Sequence, residues 1–138
     1  SNALTLDRKL THTASALADL VAQDNGITDA EMNDILAASA AIVAPYSPNP
    51  LRLVVSSVVA DSDNNTTVAW SDAKNTSPRG EGSNITLPEG LTEPGSSVIL
   101  AEVSYTYTSP FTQFLSGGIE LKDRFYLRPR RVLQVSRS

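Results

Sequence analysis

The sequence contains no cysteine, and only one histidine and one tryptophan occur among its 138 residues. Without cysteine, disulfides, thiolate metal sites and cysteine nucleophiles are all excluded. No apolar run approaches the roughly 20 residues that a membrane-spanning helix requires. Basic residues are also scarce, since 11 lysines and arginines face 15 acidic residues. The resulting net charge of −4 does not provide the basic field that a nucleic-acid-binding protein needs.

The residues that are present fit one folded domain. Hydrophobic residues make up 41% of the chain and charged residues 19%, which suits a single core beneath an ordinary surface. Ser1, Asn2 and Ala3 are typical of the remnant left when a protease removes an expression tag, so they are set apart from the fold. We therefore predict a single domain over residues 4–138.

A first helix is predicted from apolar residues at helical spacing, namely Leu6, Leu10, Leu17, Leu20 and Val21. It is expected to end at residues 24–26, with Gly26 in the left-handed conformation that closes many helices. No capping residue precedes the apolar stripe. The segment is either the end of a longer helix or a helix that begins at Thr5, and the sequence leaves both open.

A second helix has a clear beginning. Thr28 and Glu31 have the spacing of a capping box, and Asp29 adds negative charge at the positive end of the helix dipole. The helix is expected to stop at the proline-rich residues 45–50.

After residue 50 the apolar period changes to two, which indicates strands. Four are predicted: residues 51–61, 67–71, 99–109 and 119–128, with a hairpin turn at residues 62–65. Two helices followed by strands predict an α+β fold, with the helices packed on one face of an antiparallel sheet of about four strands. The polar loop 72–96 is long enough to suggest a functional or mobile segment, and residues 85–87 within it are expected to pair briefly.

Groups that could perform catalysis are few. His12 has no partner at metal-ligand spacing, and Glu102 is a single carboxylate where acid–base chemistry needs two. There is no nucleophile-elbow, phosphate-loop or HExxH motif. We therefore expect a protein that is not an enzyme and that uses no cofactor and no small-molecule substrate.

One pattern resembles a calcium loop, because oxygen ligands recur at four of its positions: Asp61, Asp63, Asn65 and Asp72. Thr66 stands where that loop needs glycine, and Asp72 is shorter than the expected glutamate. A plain hairpin turn is the favoured interpretation, and these residues are weak metal candidates.

Two surface features have alternative interpretations. The basic C-terminal residues, Arg124, Arg128, Arg130, Arg131 and Arg137, would either contact lipid headgroups or an acidic partner, or form a solvated strand face that protects a sheet edge. The solvated face is favoured, and the first four are kept as partner-contact candidates. The aromatic residues Tyr105, Tyr107, Phe111 and Phe114 are interpreted as core in preference to a binding surface.

The chain resembles the TadE/TadG-like proteins of bacterial tight-adherence (Flp, type IVb) pilus systems. The resemblance lies in an ordered set of segments over nearly all of residues 4–136: Leu10–Asp24, Ile27–Tyr46, Val68–Ser71, Val98–Thr108, Phe111 and Phe125–Arg130. The Asp-x-Ser-x-Ser motif of larger TadG relatives is absent, which favours the smaller TadE type.

This resemblance implies a pilin-like or pseudopilin-like assembly protein that contacts other pilus-assembly or secretion proteins. It also implies a transmembrane helix just ahead of Leu4 and a location on the periplasmic side of the bacterial cytoplasmic membrane. It implies no catalytic residues. The alternatives are a soluble extracytoplasmic module that binds a ligand or calcium, and a hydrolase with an unrecognised site.

Overall fold

The computed structural model describes residues 2–108 and 118–138. The elements are α1 (Asn2–Ala22), β1 (Gly26–Ile27), α2 (Asp29–Ala40), a 3₁₀ turn (Ala41–Val43), β2 (Leu51–Ala60), β3 (Thr66–Lys74), β4 (Ser97–Tyr107), β5 (Ile119–Leu127) and β6 (Ser136–Arg137). Strands β2 to β5 form one antiparallel sheet in the order β3-β2-β4-β5. The predicted α+β class, with helices on one face of a four-stranded antiparallel sheet, is confirmed.

Helix α1 lies across β4 and β5 and buries the predicted apolar stripe. Leu6, Leu10, Leu17 and Val21 are fully buried, and the small side chains of Ala14 and Ala18 between them are buried as well. Burying one leucine side chain stabilises a fold by about 1.5–3 kcal/mol. The stripe is therefore the main attachment of α1 to the sheet.

The predicted end of α1 at Gly26 is wrong. The helix ends at Ala22, and Gly26 does not have a positive φ angle. The carbonyl of Ala22 accepts a hydrogen bond from the backbone N–H of Arg130 at 2.9 Å, so a distant segment satisfies the helix end. Gly26 instead belongs to β1, where a Cβ atom would lie 2.5 Å from the Ser136 hydroxyl. The nearest backbone atom of Ser136, its carbonyl oxygen, is 3.6 Å from that position, so a larger residue at position 26 would have to displace the Ser136 hydroxyl but not the strand backbone.

The predicted beginning of α2 is confirmed. The Thr28 hydroxyl accepts from the Glu31 N–H at 3.2 Å, and the Glu31 carboxylate accepts from the Thr28 N–H at 3.0 Å. The hydrogen bond that the Glu31 carboxylate accepts from the Thr28 backbone N–H is the main cause of a pKa of Glu31 below its ordinary value of 4.5. The folded structure therefore favours the ionised form of Glu31, whose carboxylate completes the capping box.

The sheet has the predicted alternation. Its helix-facing side carries the side chains that pack with α1 and α2 in one core: Leu51, Leu53, Val55, Trp70, Ile99, Ala101, Val103 and Tyr105. The 62–65 hairpin turn joins β2 and β3 as predicted, but β3 runs on to Lys74 because it pairs with the first half of β2. A bulge between Ser57 and Val58 interrupts that pairing.

The last residues of the chain form a clasp that was not predicted. Strand β6 pairs in parallel with β1, and Val135 just before it is fully buried. The Trp70 indole N–H donates to the Val135 carbonyl at 2.9 Å. Arg137 donates to both carboxylate oxygens of Asp72, at 2.8 and 2.9 Å, and to the Ile27 carbonyl at 3.1 Å. The C-terminus thus ties β3 to the β1–α2 junction.

Candidate functional site

The face of the sheet opposite α1 is partly covered by the loop of residues 75–96. Ile85 and Leu87 of this loop pack on a second apolar cluster formed by Val58, Val98 and Leu100. The loop pairs briefly with β3, but one residue earlier than the predicted range of 85–87: Asn84 bridges Thr67, and within the predicted range the Ile85 N–H donates to the Thr66 carbonyl at 3.2 Å. The loop is therefore packed on the sheet along part of its length.

The first residues of the loop turn the chain from the edge strand onto this face. Asn75 has a φ of 63°, a conformation that asparagine tolerates, and its side chain donates to the Leu51 carbonyl at 2.9 Å. The Arg79 N–H then donates to the Ser71 hydroxyl at 3.0 Å. These contacts bring the Arg79 side chain over the middle of the sheet.

Arg79 and Glu102 form the central contact of the site. Nε of Arg79 lies 2.7 Å from Oε1 of Glu102, and Nη2 lies 2.7 Å from Oε2. The Glu102 side chain is only 19% exposed. The hydrogen bonds to Glu102 raise the pKa of Arg79. Paired, two-pronged hydrogen bonds of this kind are the strongest that arginine makes with a carboxylate.

Three more cations surround this pair because neighbouring strands are in register. Glu102 on β4 lies beside Arg124 on β5, and Ser104 lies between Arg52 on β2 and Lys122 on β5. Directly paired residues point to the same face of a sheet. The result is a cluster of four basic side chains on a protein whose net charge is −4.

The cluster also contains acidic groups. Nη2 of Arg124 lies 3.5 Å from Oε2 of Glu102, and Nζ of Lys122 lies 2.9 Å from Oε1 of Glu120. Arg52 lies 3.6 Å from Glu120 and also donates to the hydroxyls of Ser104 and Thr106, at 3.0 and 3.1 Å. The hydrogen bond from Lys122 lowers the pKa of Glu120. Within this cluster, four basic side chains meet two carboxylates, those of Glu102 and Glu120.

Together these residues line an open cleft of about 340 Å³ between the loop and the sheet. We call it the basic cleft; its polar lining is Arg52, Thr76, Ser77, Arg79, Ser104, Lys122 and Arg124, with two acidic residues, Glu102 and Asp123. Lys122 and Arg124 at its mouth have side chains that are 73% and 52% exposed. Guanidinium, ammonium and hydroxyl donors arranged in this way can bind an anion.

The residues of the predicted calcium loop are not brought together. One carboxylate oxygen of Asp61 accepts from the N–H groups of Asp63 and Asn65, at 2.9 and 2.8 Å. These hydrogen bonds close a hairpin turn, as the favoured interpretation of the sequence expects. Asp72 lies six residues beyond the start of β3, a distance of about 20 Å along a strand. Its carboxylate is bound by Arg137. Within residues 2–108 and 118–138, no cluster of three or more histidine or acidic residues could hold a metal ion.

The arginines of the predicted basic strip are dispersed. Arg124 faces the basic cleft, whereas Arg130 pairs with Asp19 of α1 and Arg137 belongs to the C-terminal clasp. Arg128 donates to the Leu91 carbonyl at 3.3 Å, and Arg131 is exposed. The proposed single strip is therefore wrong as a geometric unit, because the chain leaves the strand after Leu127.

The remaining candidates from the sequence are His12 and the aromatic residues. His12 is exposed on α1. Tyr105 is buried, and its hydroxyl donates to the Ser47 carbonyl at 2.7 Å, which confirms the core interpretation for this residue. Tyr107 packs on the edge of the same core. Phe111 and Phe114 lie outside the described residues.

Sequence reasoning missed most of the basic cleft. Arg79 stands in a loop without periodicity, and Glu102 was interpreted as a lone carboxylate. The available signal was the position of Lys122 and Arg124 on the face of the last strand opposite Leu121 and Phe125, together with Arg52 between two leucines. Only the strand register shows that these positions are neighbours.

Comparisons with known proteins give no match among family models, curated proteins or solved structures. The pilus-family resemblance therefore stays a prediction. Of the helices in the described part of the chain, none combines the length and apolar character needed to cross a membrane.

Proposed function

We propose that this domain is a pseudopilin-like structural component of a bacterial Flp/tight-adherence type IVb pilus, which acts by protein–protein docking and not by catalysis. The ordered segment resemblance provides the family. The observation that carries the docking role is the division of the sheet into two faces. Helix α1 covers one face, and the other presents the packed loop and the basic cleft.

This division suits a tethered domain. If the protein is held at the membrane through a helix ahead of α1, the attachment lies on the helix side of the sheet. The basic cleft then faces away from α1 and stays available to a partner. The expected partners are other pilus-assembly or secretion proteins on the periplasmic side of the cytoplasmic membrane.

Deletion of the gene in the natural bacterium tests the pilus role. We expect loss of surface pili in electron micrographs and their return when the wild-type gene is supplied. Immunoblots of the protein and of the pilin subunit show whether the components are still made. Normal piliation of the deletion strain would contradict the proposal.

A second experiment tests the location. The full-length natural protein is expected in the membrane fraction after an alkaline carbonate wash, and its domain is expected to be digested by protease in spheroplasts. Release of the protein into the soluble fraction would contradict the proposed membrane helix and favour the alternative of a soluble extracytoplasmic module.

The calcium form of that alternative loses its geometric support, because Asp72 lies about 20 Å along β3 from the turn that holds Asp61. A module that binds an anionic ligand keeps support from the basic cleft. Calorimetry with calcium separates the two forms, and no heat of binding is expected.

A further inference from the structure

We infer that the basic cleft is a docking site for an acidic peptide segment of a partner protein, with Lys122 and Arg124 as the contacts at its mouth. The inference specifies the partner chemistry of the proposed docking surface. It depends on the proposed function only for the identity of that partner, because the cleft and its charges are properties of this chain.

The first argument is that the cleft already holds a carboxylate. Glu102 is bound through both oxygens by Arg79 and lies 3.5 Å from Arg124. The side chain of this glutamate is largely buried beneath the loop. The site thus has the geometry that guanidinium groups need to bind carboxylates, and an acidic side chain of a partner has the same chemistry.

The second argument concerns the donors that remain available. Arg79 directs Nε and Nη2 to Glu102, whereas Arg124 reaches Glu102 only at 3.5 Å and its side chain is about half exposed. Lys122 contacts Glu120, which is itself exposed, and an exposed pair of this kind contributes little. Both cations can therefore turn to an incoming carboxylate at small cost.

The third argument is shape. The cleft is open to solvent, and its walls are a loop with two hydroxyl residues, Thr76 and Ser77, and the strands that carry the cations. Arg52 and Lys122 lie on either side of Ser104, one step along the sheet from Glu102 and Arg124. The cations thus lie in two rows across the sheet, one row after the other along the strands. Two such rows fit two successive acidic side chains of a peptide better than they fit one compact anion.

The charge of the whole chain makes this site selective. The protein carries a net charge of −4, so its overall field repels an acidic partner. Only a region where basic groups are concentrated can attract that partner. Electrostatic complementarity of this type mainly determines where and how fast a partner docks.

The test uses the folded chain and a glutamate hexapeptide as the probe, with binding followed by calorimetry and by amide chemical shifts. We expect binding at about 0.02 M sodium chloride that weakens about tenfold or more near 0.3 M, because salt screens exposed charges. The shifted amides should belong to residues 76–79 and to β5. Shifts confined to other regions, or no binding at low salt, would overturn the inference.

Matched variants locate the site. The double variant Lys122→Glu, Arg124→Glu should lose about tenfold or more in affinity, since it replaces attraction by like-charge repulsion. The double variant Arg8→Glu, Lys74→Glu also replaces one arginine and one lysine, makes the same change of net charge at exposed positions outside the cleft, and should bind almost as the wild type does. Circular dichroism and melting temperature report whether each variant is folded. Equal losses of affinity in both variants would mean that the peptide responds to the overall charge of the protein and not to the basic cleft, and would overturn the inference.

Inorganic phosphate and a lysine hexapeptide complete the test. Phosphate that competes with the glutamate peptide at equal concentration would identify a small-anion site and overturn the peptide proposal. Weak competition by phosphate and no binding of the lysine peptide support it. If the peptide binds as expected while the deletion strain is normally piliated, the cleft stands and the pilus role fails.

Discussion

The guanidinium group of Arg79 and the carboxylate of Glu102 meet through two parallel hydrogen bonds of 2.7 Å each. One residue belongs to the loop after β3, and the other to the central strand β4. The two residues are 23 positions apart in sequence. Their contact fastens the first part of the loop to the middle of strand β4. The loop 75–96 is thereby both exposed at its surface and attached beneath.

Arg79→Ala should release the first part of the loop. Hydrogen bonds between charged groups contribute about 1.5–3 kcal/mol, and partial exposure of this pair lowers the expected loss to about 1–2 kcal/mol of unfolding free energy. Urea denaturation measures that loss, and limited proteolysis should show faster cleavage between residues 76 and 90. Arg131→Ala is the control and should leave both unchanged. Equal stability and equal cleavage of Arg79→Ala and the wild type would contradict the role of the pair.

Arg137→Ala should loosen the C-terminal clasp. It removes two hydrogen bonds to Asp72 and one each to Asp29, the Ile27 carbonyl and the Ser138 carbonyl. The hydrogen bond to Asp72 is the main cause of the raised pKa of Arg137. Since Arg137 and Asp72 are both mostly buried, we expect a loss of about 2–3 kcal/mol of unfolding free energy. Amide hydrogen exchange of residues 26, 27, 136 and 137 should accelerate. Arg137→Lys keeps the charge but cannot form the paired contact, so it should fall between the wild type and alanine. A wild-type exchange rate in Arg137→Ala would show that the clasp is not held by this side chain.

The part of the capping box that the Glu31 carboxylate forms should contribute most while Glu31 is ionised. The folded pKa of Glu31 lies below its ordinary value of 4.5, so its contribution is complete above about pH 4.5 and is lost as the pH falls through the folded value. Thermal unfolding followed from pH 7 to pH 3 should therefore show a smaller acid-induced decrease for Glu31→Gln than for the wild type. Thr28→Ala should lower stability by about 1 kcal/mol at neutral pH. Identical pH profiles for Glu31→Gln and the wild type would count against the capping role.

Ser57 and Ser56 offer a matched pair inside β2. Both are buried, but the Ser56 hydroxyl bonds the Ser71 hydroxyl at 2.9 Å, whereas the Ser57 hydroxyl has no hydrogen-bond partner in the described part of the chain. An unpaired buried hydroxyl is unfavourable. Ser57→Ala should therefore leave the melting temperature unchanged or raise it, and Ser56→Ala should lower stability by about 1 kcal/mol. A larger loss for Ser57→Ala than for Ser56→Ala would contradict this assignment.

The attachment of α1 to the sheet can be tested with two leucines. Leu17 is fully buried in the core, and Leu4 is 57% exposed near the start of the helix. Leu17→Ala should cost about 2–5 kcal/mol because it leaves a cavity, while Leu4→Ala should change stability by about 0.5 kcal/mol or less. Guanidinium denaturation measures both. Similar effects at the two positions would mean that the stripe does not hold α1 to the sheet.

The sequence was informative wherever the controlling interactions are local. The capping box lies within four residues, Thr28 to Glu31, and it was predicted with its correct members. The strand alternation and the turn at Asp61 also depend on near neighbours, and both were predicted correctly. The end of α1 was predicted wrongly because its last carbonyl is satisfied by Arg130, which is remote in sequence.

By itself, then, the sequence determined the α+β class, the two helices, the four main strands and the faces that they bury, since periodicity and capping operate over a few residues. The tertiary structure alone decided which charges meet. Arg79 reaches Glu102 across 23 residues, and Arg137 reaches Asp72 across 65. Such pairs depend on strand order and register, which no local pattern specifies, because many pairings of the same strands would bury the same apolar faces. The basic cleft exists only because one of those pairings places β2, β4 and β5 side by side.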